Sequence, residues 1–137
     1  MKILIDSCVW LLALRRKNKA LLSEDEQRIV AVLSEAVQNG RVAIIGPVRQ
    51  EVLSGIKETA RFEELRSALE GFPDMPIPTS HYEEAARLFN LCRKRGVECG
   101  AVDILLCAVA AKERWSLLTN DGGIQRCLVA LKAEGVF

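Results

Sequence analysis

Apolar residues in this chain fall into two patterns. Short unbroken runs at 2–5, 42–45 and 115–118 each stop on a polar or turn-forming residue, as buried strands of a parallel sheet do. Elsewhere apolar positions recur every three or four residues, the period of a helix with one buried face. Ser23-Glu24-Asp25-Glu26 opens the clearest of these helices, with a serine acceptor at the N-cap and a glutamate three positions on, a capping box. Ile29, Val30, Val32, Leu33, Ala36 and Val37 supply its apolar stripe, and Asn39-Gly40 ends it. Gly46-Pro47 closes the second run and starts a helix to about residue 55, since proline's missing N–H loses no partner in a first turn. Further helices are predicted over 9–14, 61–70, 80–95, 101–112 and 124–133. Pro73, Pro76 and Pro78 leave room for at most a short edge strand at 75–77. Strands alternating with helices predict an α/β fold, a short central parallel sheet flanked by helices in three layers.

The 137 residues suffice for one domain spanning 1–137. An aromatic content of 5% argues against base stacking as the main mode of any nucleic-acid contact. Nineteen Lys and Arg against eighteen Asp and Glu leave a net charge of +1, so such contacts must rest on local clusters. The candidates are Arg15, Arg16, Lys17 and Lys19, and then Arg93-Lys94-Arg95. Cys8, Cys92, Cys99, Cys107 and Cys127 form no C-x-x-C pair and mostly lie in apolar runs, which reads as buried, reduced thiols. The single histidine, His81, has no neighbour at a ligand-like spacing, which argues against zinc. Its separation from every acidic motif makes it a surface or helix-cap residue rather than a general base. A leader peptide is not expected, because Asp6 breaks the opening apolar run and Arg15-Arg16-Lys17 stands where a small-residue cleavage site belongs. No apolar run approaches the roughly twenty residues of a membrane span, so a cytoplasmic protein is expected.

Four acids share one description. Asp6 and Asp121 directly follow predicted strands, and Glu51 and Asp103 sit in helical turns read as following strand exits. In a parallel α/β sheet those places lie on the carboxyl edge, where ligands bind. Each acid alone has an ordinary explanation: Asp103 favours a helix dipole, Glu51 is solvated, Asp121-Gly122 is a turn. Together they would repel one another and hold protons, unless a hard divalent cation, Mg2+ or Mn2+, is their common purpose. Cys8 beside Asp6 invites a nucleophile, but no histidine partner accompanies it. A phosphoacceptor signalling domain also sets acids at strand ends, yet it needs an early acidic pair and a late lysine after a strand. Asp6 has no acidic neighbour, and Lys112 precedes its strand.

Ile3-Leu4-Ile5-Asp6-Ser7-Cys8-Val9-Trp10, Val48-Arg49-Gln50-Glu51-Val52-Leu53-Ser54-Gly55, Val102-Asp103-Ile104-Leu105-Leu106-Cys107-Ala108-Val109-Ala110 and Leu117-Leu118-Thr119-Asn120-Asp121 together resemble the four acidic motifs of the PIN domain. The length and the helices between motifs resemble the VapC toxins of bacterial and archaeal toxin–antitoxin pairs, over essentially the whole chain. The resemblance implies an endoribonuclease dependent on Mg2+ or Mn2+. Asp6 would be its central ligand, Asp103 a second, and Glu51 and Asp121 ligands directly or through water. Ser7 and Thr119 match small hydroxyl positions near the metal. It further implies an RNA substrate, a cognate antitoxin whose C-terminal segment fills the groove, and a homodimer. The chain departs from the family's fourth motif by having Gly123 and Ile124 where a further acid and an aromatic are usual. A PIN fold that binds RNA or protein without catalysis is the alternative.

Overall fold

The computed structural model describes residues 1–14 and 21–137. The first basic cluster, Arg15, Arg16, Lys17 and Lys19, lies outside the described residues. The central strand is β1 (Ile3–Ile5), paired in parallel with β2 (Val42–Ala43) on one side and β3 (Ser116–Leu118) on the other. Register sets Leu4 beside Ala43 and Leu117, and Ile5 beside Leu118. All three residues of β1 are buried, because a middle strand has a neighbour on each side and helices over each face.

Helices α1 (Ser7–Ala13), α2 (Glu24–Gln38), α3 (Gly46–Leu53) and α4 (Thr59–Leu69) pack among themselves, and so do α5 (Thr79–Lys94), α6 (Ala101–Glu113) and α7 (Gly122–Ala133). The two groups flank the sheet, giving the three-layer α/β arrangement that the pattern of runs predicts. α2 begins as expected: Ser23 Oγ accepts from Glu26 N at 3.1 Å and Glu26 Oε1 accepts from Ser23 N at 2.9 Å. It stops at Asn39, where Gly40 follows with φ of 64°. Pro47 lies in the first turn of α3. α6 is buried on all sides from Ile104 to Ala110, and each large apolar side chain so enclosed stabilises the fold by about 1.5–3 kcal/mol.

Residues 75–77 stay within the bound of at most a short edge strand: a single bridge joins Ile44 to Asp74, with Met75 N donating to Ile44 O at 2.8 Å, and the flanking prolines allow no more. Two expectations need correction. The cysteines are not all free thiols. Cys99 and Cys127 are joined as a disulfide that ties the approach to α6 to the middle of α7, while Cys8, Cys92 and Cys107 remain free. His81 is no surface residue. It is buried in the first turn of α5, and Nε2 lies 2.9 Å from Glu113 Oε1 at the end of α6. Among the described residues no helix is long and apolar enough to cross a membrane.

Candidate active site

Asp6 follows β1 immediately. Its N–H donates to Leu118 O at 3.0 Å, so the sheet still holds its backbone, while its extended ψ of 157° makes it the N-cap of α1. The side chain is only 3% exposed. Oδ1 accepts from Ser7 N at 2.7 Å; Oδ2 accepts from Thr119 Oγ1 at 3.0 Å and from the Cys8 thiol at 3.1 Å. Ser7 Oγ lies 3.4 Å from Asp6 Oδ1 but 3.0 Å from Glu51 Oε1, and its one proton serves the nearer oxygen. Among the described residues every donor to Asp6 is neutral, so dipoles and no ion pair meet its carboxylate there.

The remaining acids are brought to this edge by different means. Glu51 projects from the second turn of α3, which Arg49 locks in place by donating to Asp74 Oδ1 at 2.8 Å, to Leu69 O at 3.0 Å and to Phe72 O. Sequence reasoning passed over Arg49. Its signal was a cation near a helix N-terminus, where the dipole disfavours one unless specific acceptors hold it. Asp121 is exposed and caps α7, with Oδ2 accepting from Ile124 N at 3.0 Å, so its turn role and its place on the edge coexist. Thr119 Oγ1 links the two ends by accepting from Asp121 N at 3.0 Å while donating to Asp6.

Asp103 corrects one step of the sequence argument. α6 follows α5 through a loop at 95–100, not a strand, and only packing of that helix pair delivers its first turn to the edge. Burial above all, and then the charges of Asp6, Asp121 and Glu51, push the Asp103 carboxyl up from 3.8 to about 6. The four acids therefore face one space. Cys8, set aside as a nucleophile for want of a histidine partner, has its thiol pushed up to about 11, chiefly by burial. It is a neutral donor to Asp6.

An all-oxygen donor set short of positive charge suits Mg2+ or Mn2+. Among the described residues, the one group of three metal-ligating side chains with donor atoms within 4.8 Å of one another is Cys92, Cys99 and Cys127. Two of those sulfurs are bonded together, which removes that group as a ligand set. The carboxylates stand further apart. That spacing fits an ion that keeps several waters and takes one or two carboxylates directly, as Mg2+ does.

A family model, the PIN domain, matches residues 3–127. No curated protein matches the chain by sequence. Among solved structures, the crystal structure of FitAcB from Neisseria gonorrhoeae superposes with a TM-score of 0.67 at 18% identity, covering 91% of this chain and 92% of that one. At that identity the likeness speaks for the fold.

Proposed function

Because the chain belongs to the PIN domain family, we propose that it is an endoribonuclease dependent on Mg2+ or Mn2+, acting as the toxin of a toxin–antitoxin pair. The observation that carries this reading is the convergence of Asp6, Glu51, Asp103 and Asp121 on one sheet edge, where among the described residues none of them forms an ion pair. Asp6 and Asp103 would hold the ion, with Glu51 and Asp121 engaging it directly or through water. A divalent ion bound there lowers the pKa of water and neutralises charge building on a phosphate. Ser7, Cys8 and Thr119 fix the orientation of the acids by hydrogen bonds, as outer-shell donors do around metal ligands.

RNA as substrate, a cognate antitoxin and a homodimer follow the VapC resemblance. Cytoplasmic placement would follow from an RNA substrate. The glycine at 123 and the wide spacing of the carboxylates favour one second reading, a PIN fold that binds RNA or protein and cleaves weakly or not at all. The test is incubation with single-stranded and structured RNAs in Mn2+, Mg2+ or EDTA. Cleavage in either metal, lost in EDTA, is expected. Cleavage indifferent to EDTA would reject the metal, and binding without cleavage in any metal would favour the second reading.

A further inference from the structure

Two arginines that share a cavity, one of them close to Asp121, form no ion pair among the described residues. Arg126, on the second turn of α7, folds back over the Gly122-Gly123 pair that begins the helix. Its Nη1 lies 3.5 Å from where a Cβ on Gly122 would stand, and its Nη2 3.9 Å from one on Gly123. That second point is itself 2.9 Å from Asp121 Oδ2, so the guanidinium and the acidic edge are near neighbours. A side chain at 123 would press on the carboxylate that caps α7, whereas the guanidinium stands at ordinary contact distance from both glycine positions.

Arg93, at the end of α5, faces the same region. Arg93, Gly96, Val97, Glu98 and Arg126 line a cavity of about 470 Å³. A second cavity of about 540 Å³ runs along α7 and shares Val97 and Arg126 with the first. Arg95 nearby is paired with Glu134 at 3.0 Å, whereas neither Arg93 nor Arg126 forms an ion pair among the described residues, although the exposed Glu98 is at hand. Unpaired guanidinium forks match phosphate, and in a chain of net charge +1 such local cations must carry any polyanion affinity.

We propose that Arg126 and Arg93 bind backbone phosphates of single-stranded RNA flanking the bond to be cut, with Arg126 nearer the acids. The inference rests on the nuclease reading and names how its substrate is held. Anisotropy of a labelled single-stranded RNA, with Ca2+ in the buffer over a range of salt, tests it on the full chain with Arg93→Gln, Arg126→Gln, Arg126→Lys and, as control, Arg66→Gln on α4, where the arginine is paired with Glu63. Each arginine-to-glutamine change should weaken binding roughly three- to tenfold at low salt and flatten log affinity against log salt by about 0.7. Arg126→Lys should keep the slope, and Arg66→Gln should change neither quantity. Circular dichroism confirms folding of each variant.

Wild-type affinity and slope in both glutamine variants would overturn the inference and leave the nuclease reading standing. Weakened variants of a wild type that cleaves no RNA would keep the arginines as phosphate ligands but overturn their place beside a bond to be cut, along with the nuclease reading. A wild type that binds no RNA would sink both. Loss of binding to a polyglutamate peptide with RNA affinity unchanged would assign the arginines to a protein partner and also overturn it.

Discussion

Among the described residues the two buried polar side chains, Asp6 and His81, are held in opposite ways. His81 meets Glu113 at 2.9 Å, a pair in which donor and acceptor satisfy each other within the fold. Asp6 meets only neutral donors, and burial first, then the charges of Asp6, Asp121 and Glu51, push the neighbouring Asp103 carboxyl up to about 6. α6 carries one member of each arrangement, Asp103 in its first turn and Glu113 as its last residue, which at 1.5 Å per residue sets them about 15 Å apart. A buried charge completed by the protein is structural. One left incomplete costs stability unless something from outside completes it, and that marks the functional end of the molecule.

The strongest way to break this contrast is Asp6→Asn. Loss of outer-shell partners alone costs metal sites about 10- to 100-fold, so removal of the central carboxylate should lower RNA cleavage by more than roughly 100-fold. Far-ultraviolet circular dichroism should be unchanged. Full cleavage by the variant in Mn2+ would place Asp6 on the structural side of the comparison.

Metal addition should act on one end alone. At a hundredfold excess over its dissociation constant Mn2+ should stabilise the folded chain by about 2.7 kcal/mol, and EDTA should reverse it. Thermal melts read this directly, and melts indifferent to Mn2+ would mean that the acids hold no ion.

His81→Leu is the converse. It leaves Glu113 without its partner and should cost about 2 kcal/mol in urea unfolding, with RNA cleavage at saturating metal unchanged. A loss of cleavage without a loss of stability would give His81 a catalytic part that its position denies.

The smallest effect concerns pH. The folded Asp103 carboxyl titrates near 6 instead of 3.8, so the metal-free folded state binds this proton more tightly than the unfolded chain. Its contribution is fully present below the unfolded value and is lost as pH rises through about 6. Asp103→Asn should flatten that part of the urea midpoint against pH, measured in EDTA, and should leave the variant at neutral pH no less stable than the wild type. If the variant is less stable there, Asp103 serves its helix.

The strands, the capping box of α2 and the proline at the start of α3 were legible because each depends on neighbours a few residues apart. So were the positions of Asp6 and Asp121, since an acid that ends an apolar run declares the end of a strand. Ser7 and Thr119, expected near the acids by resemblance, do lie against them. Asp103 was found for a partly mistaken reason, because no strand precedes its helix. The Cys8 thiol as a donor, the burial of His81, the Cys99–Cys127 bond and the fold of Arg126 over two glycines were not legible.

What the sequence by itself determined is the set of elements and where the chain turns, since capping, propensity and apolar period act over a single turn or strand. Only the tertiary structure decided which polar groups face one another. Thr119 reaches Asp6 across 113 residues, His81 reaches Glu113 across 32, and Cys99 and Cys127 are 28 apart. The energy of each such pair depends on its distance and on the water excluded around it, and folding sets both. The same physics makes Asp6 a buried charge with neutral donors and His81 a buried base with an acid, from two residues that the chain alone presents as equally isolated.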